Sequence, residues 1–122
     1  MHFRVGETNI ICTDLERSLH FYRDLLGFDA LGREGPAWHL ACDGRRFLLL
    51  GVAERSRMPT PYCEVADFSL DLLVDDLAEA RRRFEAAGVQ FVSEFEPTAH
   101  RFFIRDPDGL VLEIIQAANG DE

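Results

Sequence analysis

The stretch TNIICTDLERSLHFYRDLLGF, residues 8–28, decides the fold. Its first five residues read as a short strand. Thr13-Asp14 follows, and then Leu15, Leu19, Tyr22 and Leu26 recur on one face of a 3.6-residue period, which predicts a helix over about 14–26. Thr13 with Glu16 three residues on reads as a capping box. Gly27 supplies the left-handed stop.

Working outward, Phe28 to Leu31 reads as a strand, broken at the Gly32–Gly35–Pro36 region. Trp38–Cys42 and Arg45–Val52 follow as strands, and Asp43-Gly44 between them suits a tight hairpin turn with positive φ at both central positions. Residues 55–66, RSRMPTPYCEVA, read as a linker because Pro59 and Pro61 disfavour helix and sheet alike. The opening pattern then returns. Residues 68–74 read as a strand, and Asp76 with Glu79 as a second N-cap pair. Leu77, Ala80, Phe84 and Ala87 form a second helical stripe, closed by Gly88. Val89–Val92, His100–Arg105 and Leu110–Gln116 are the next strands, the last two joined by Asp106-Pro107-Asp108-Gly109.

A shift of 62 lays Ile10-Ile11-Cys12 on Leu72-Leu73-Val74 and Asp14-Leu15 on Asp76-Leu77. The expectation is an α+β fold of two β-α-β-β-β modules forming a cupped, mostly antiparallel sheet. Module one covers about 5–54, the linker 55–66 and module two about 67–117, within one domain. A ferredoxin-like α+β domain is the alternative, and the three strands that end each half argue against it.

Strand side chains alternate faces. Thr8, Ile10 and Cys12 point one way, with Leu70, Leu72 and Val74 as their repeat partners; this apolar set belongs beneath the helices. Glu7, Asn9, Ser69 and Asp71 belong on the opposite face, which either meets water or lines a concave binding site.

The chain has 22 acidic and 13 basic residues, a formal charge of −9. Such a chain repels phosphate backbones, so no nucleic-acid partner is expected; cationic ligands would be attracted. No apolar run approaches the roughly 20 residues of a membrane helix, and the N-terminus lacks an apolar signal core, so the expected location is cytoplasmic. Cys12, Cys42 and Cys63 lack CxxC spacing and outline neither a disulfide framework nor a zinc knuckle. Arg81-Arg82-Arg83 point in different directions on a helix and read as a solvated face.

Residues 13–28 resemble the opening helix of vicinal-oxygen-chelate proteins, the glyoxalase, bleomycin-resistance and extradiol-dioxygenase superfamily. IRDPDGLVLEII, residues 104–115, resembles their closing signature, an Asp-Pro-Asp-Gly turn before a strand carrying a glutamate. The resemblance covers nearly the whole chain. It implies two modules around a shared cup, a homodimer, a small-molecule ligand and, in many members, a divalent metal. Carried over motif to motif, the metal positions are Glu7, Ser69, Glu113 and a position in the run 47–50. Glu7 and Ser69 stand where relatives commonly have histidine, and the fourth position is apolar. Two carboxylates and a hydroxyl would hold only a hard divalent ion, and weakly.

The resemblance implies further that Phe47 is an apolar wall of the pocket, with Leu49 on the same strand face, and that Arg101, Phe103 and Arg105 lie on a cup-lining strand. Arg101 would then hold an anionic group, or instead pair with Glu94 or Glu96. Among the histidines, His39 and His100 are the ones placed to reach a site, and His2 and His20 read as exposed. Two functions stay open. One is a glyoxalase-like lyase, isomerase or dioxygenase with Glu7 and Glu113 as metal ligands or bases. The other is a bleomycin-resistance type of protein that sequesters a cationic, planar drug without turnover, using Glu7, Asp71 and Glu113 as an acidic cup.

Overall fold

The computed structural model describes residues 1–58, 60–93 and 96–118. The chain divides into two compact units, Met1–Ser56 and Arg57–Glu122. In the first, β1 (Thr8–Ile11) leads into α1 (Leu15–Leu19), which continues as a π-helix over His20–Leu25; β2 (Asp29–Glu34), β3 (Ala37–Cys42) and β4 (Arg45–Leu50) follow. The sheet order is β1-β4-β3-β2. In the second unit β5 (Ser69–Val74), α2 (Leu77–Ala86), β6 (Arg101–Arg105) and β7 (Val111–Gln116) form a sheet of order β5-β7-β6. In each unit the opening strand lies parallel to the closing strand, and the remaining pairs are antiparallel.

The opening helix departs from regular α geometry. Its α-helical stripe leaves Phe21 outside the row of Leu15, Leu19, Tyr22 and Leu26. The wider π turn, marked by the Leu26 N–H donating to the Phe21 carbonyl at 3.0 Å, brings Phe21 inside beside Tyr22. Their rings meet edge to face at 5.1 Å, and both are buried. The N-cap is Asp14, not Thr13: its carboxylate accepts the Arg17 N–H at 3.1 Å. The expected Asp76 cap forms, accepting the Glu79 N–H at 3.0 Å. Asp43 and Gly44 have φ of 52° and 73°, the hairpin geometry their sequence suggests. The Val89–Val92 strand shortens to a single bridge, Phe91 to Ile104, flanked by hydrogen bonds from the Val92 N–H to Phe103 and from the Arg105 N–H to Gln90. It occupies the place that a fourth strand takes in the first unit. Pro59 and Glu94 lie outside the described residues.

The core of the first unit lies between the helix and one sheet face. Ile10 pairs with Leu49 and Leu40 with Phe47, all on that face and all buried. Phe28 links them to the helix, 5.1 Å from Phe47 and 5.5 Å from Tyr22. Phe47 and Leu49, expected at a ligand pocket, are therefore core residues, 4% and 0% exposed. Register decides this, because β4 pairs in parallel with β1 and puts Phe47 and Leu49 on the side of Thr8 and Ile10. In the second unit Phe102, Ile104, Leu112 and Ile114 form the equivalent layer, and Phe84 of α2 packs on Phe102 at 6.0 Å.

Gly51 follows β4 and donates its N–H to the Pro36 carbonyl at 2.8 Å. A Cβ there would stand 2.8 Å from the Leu15 Cβ, with no flexible atom to give way. Gly51→Ala should cost about 1–3 kcal/mol of stability by overpacking the first turn of α1 against the sheet. Urea unfolding measures it, and an unchanged midpoint would show that the helix can shift freely.

Candidate ligand-binding site

The strand alternation that buries one face leaves the other open. On the first unit's open face Asn9 pairs with Leu48, and Leu48 with His39. A bulge between Ala30 and Gly32 restores the pairing of Gly32 with His39. The Glu34-Gly35-Pro36-Ala37 turn then returns the chain so that Glu34 faces His39. His39 Nδ1 lies 2.9 Å from Glu7 Oε2, and Nε2 lies 2.9 Å from Glu34 Oε1. One imidazole thus bridges two carboxylates. The hydrogen bond to Glu34, reinforced by Glu7, raises the His39 pKa above its ordinary value. A second histidine close to a carboxylate is His20, on the surface beside Asp24. That carboxyl is held at about 2, mainly by its hydrogen bond to Arg23 and then by His20.

On the second unit's open face Asp71 pairs with Glu113, and Glu113 with Phe103. Arg101 donates to Glu113 Oε2 at 3.1 Å and lies 5.5 Å from the centre of the Phe103 ring. Glu113 is therefore a carboxylate partner of Arg101, and the Glu94 alternative lies outside the described residues. The Glu113 side chain is 15% exposed and the Arg101 side chain 52%, so the cation roofs the carboxylate. Asp71 beside them is exposed. Ser69, one row along, contacts the Tyr62 hydroxyl at 2.8 Å. Phe103 is buried in a small cluster with Val92 and Val111, covered by Tyr62. It lies on the same face as Glu113 but beneath Tyr62, and is not an open wall.

The equivalence of Asn9 and Asp71 in the repeat makes Leu48 the counterpart of Glu113. The position expected within 47–50 is thus an aliphatic side chain. Among the described residues, no group of three His, Cys, Asp or Glu side chains is arranged to hold a metal. Glu7 faces an imidazole and Glu113 a guanidinium, so each carboxylate already has a positive partner or a donor. This donor set does not fit a catalytic transition-metal centre, which needs imidazole and carboxylate converging with open positions. Burial pushes the Cys42 thiol pKa up, away from the thiolate form. Among the described residues, no helix is long and apolar enough to cross a membrane.

Sequence reasoning missed Glu34 and Tyr62. A Gly35-Pro36 hairpin puts residues 34 and 39 on one strand face, so Glu34 was legible from turn chemistry. Tyr62 lies in a proline-rich segment without periodicity, and no local signal announces it.

A family model described as the glyoxalase/bleomycin resistance protein/dioxygenase superfamily matches residues 4–114. Glutathione transferase FosA of Serratia marcescens is 27% identical over 111 residues, covering 90% of this chain and 78% of that protein. A lactoylglutathione lyase of Neisseria meningitidis is 30% identical over 135 aligned positions, covering 98% and 94%. The crystal structure of lactoylglutathione lyase from Agrobacterium tumefaciens superposes with a TM-score of 0.63 at 25% identity, covering 93% of each chain.

The His39 bridge makes a pH prediction. Proton NMR should place the imidazole titration above its ordinary value of 6.5, and Glu34→Gln or Glu7→Gln should each lower it. A raised folded pKa means that the bridge stabilises the fold fully below about 6.5 and loses this contribution as pH rises through the raised value. Titration at or below the ordinary value would exclude the bridge in solution.

Proposed function

The chain belongs to the glyoxalase/bleomycin resistance protein/dioxygenase superfamily, and we propose that it binds a small organic molecule on the open sheet face of its second unit and holds it without a resident metal and without turnover. One observation carries this reading. The carboxylates that match the family's metal positions, Glu7 and Glu113, are engaged by His39 and Arg101, while Ser69 is engaged by Tyr62. A metal entering beside Glu113 would have to compete with a guanidinium at 3.1 Å. A ligand needs no such displacement. Asp71 offers an exposed carboxylate to a positive group, and the exposed Leu73 on the same strand face offers apolar contact. The polar side chains on this face set orientation, and the apolar ones supply contact area.

A second reading, metal-free acid–base catalysis, is favoured by the Glu7–His39–Glu34 bridge. A histidine with a raised pKa keeps its proton to higher pH than a free imidazole and can donate it to a developing oxyanion, while Glu7 holds its ring. The relatives' names give the probes, lactoylglutathione and glutathione.

Protein purified without chelator should carry no stoichiometric metal, and EDTA should leave its melting temperature unchanged. A cationic glycopeptide such as bleomycin should raise that temperature equally with and without EDTA. Stoichiometric zinc, iron or manganese whose removal abolishes the shift would sink the sequestration reading. Consumption of lactoylglutathione, lost in His39→Gln, would replace it with the catalytic one.

A further inference from the structure

The segment between the repeats borders an open pocket. Arg57 and residues from 60–68 flank about 120 Å³ beside Ser69, Val111 and Arg105. Those last three form a single cross-strand row on the open face of the second unit, since Val111 pairs with both Ser69 and Arg105. The strap is tied down by polar contacts. The Tyr62 and Ser69 hydroxyls meet at 2.8 Å, Arg105 donates to the Thr60 carbonyl at 2.9 Å, and Arg57 pairs with Asp67. The Tyr62 ring rests on Phe103, centroids 5.5 Å apart.

Volume and charge together say what fits. The space equals that of roughly four waters, too small for a whole drug-sized ligand and right for a single compact polar group. In a chain of net charge −9, two guanidinium groups line it against one carboxylate, Asp67. Arg105 donates to Gly109 and Thr60 through its two terminal nitrogens, one hydrogen bond from each, out of five donors in its fork. Planar guanidinium donors with hydroxyls alongside match the oxygens of a carboxylate or phosphate.

We propose that this pocket is an oxyanion subsite, taking the carboxylate or phosphate group of the small molecule held on the second unit's open face, with Arg105 as charge partner and Tyr62 and Ser69 as hydroxyl contacts. It rests on the reading of that face as the ligand face. The ligand class narrows accordingly, to small molecules bearing a compact anionic group.

The test titrates the full chain with inorganic phosphate, and separately with acetate, at constant ionic strength and with EDTA present, following backbone amide resonances. Saturable shifts confined to residues 60–69 and the Arg105–Val111 region are expected. Arg105→Gln should weaken binding about tenfold or more, and Arg105→Lys should retain part of it. Because Arg105 also anchors the strap, Ser69→Ala and Tyr62→Phe provide an independent check, and each should weaken binding several-fold. Shifts spread over the Arg81–Arg83 surface, or affinity unchanged in Arg105→Gln and Ser69→Ala, would overturn the subsite. Bleomycin binding that persists where phosphate fails to bind removes the subsite alone. Phosphate binding with no organic ligand held removes the sequestration reading alone.

Discussion

The parallel ladder between the first and last strand of each module governs everything else. Ile10 opposite Leu49 and Leu72 opposite Ile114 set which face of each sheet meets its helix. A slip of one residue would turn Leu49 or Ile114 outward and drive Leu48 or Glu113 into the core. Burying Glu113 without its guanidinium would cost several kcal/mol, so the ladder has one tolerable register. The open face, with its charged and hydroxyl groups, is what that register leaves over.

On those open faces charge is spent locally. Glu7 is drawn to His39, Glu113 to Arg101, and Asp67 to Arg57. The acidic excess apparent in the composition therefore does not translate into bare carboxylates at the family's metal positions, although Asp71 beside Glu113 stays exposed. Arg105, by contrast, satisfies carbonyl oxygens, which leaves its charge uncompensated by any acid that it touches in the described contacts. The contrast between neutralised carboxylates and this cation separates the places where a metal or positive group would meet competition from the place where a negative one would be welcome.

Much of this was legible in the sequence because it is local or periodic. The Asp76 cap and the Asp43-Gly44 turn each depend on neighbouring residues, the repeat shows as a sequence period of 62, and strand alternation alone put Asn9, Ser69 and Asp71 on the exposed side. What escaped depends on contacts between elements. Helical periodicity assumes a 3.6-residue turn and cannot see that Phe21 pulls the helix into a wider one. Alternation pairs Phe47 with Leu49 without saying which side of the sheet they take, and only the parallel register with β1 decides that. Tyr62 reaches Ser69 from a segment whose path no pattern encodes.

The pairing of Leu48 with Glu113 across the repeat carries a last implication. The two halves keep a common scaffold but no longer a common chemistry: one offers an aliphatic side chain where the other keeps a roofed carboxylate. A duplicated architecture in this condition has divided its labour. Substitutions on the open face of one half leave the strand ladder of the other untouched, so the outward chemistry of each half is free to drift independently. New outward chemistry can then arise by altering outward-facing side chains, with no change to the framework that presents them.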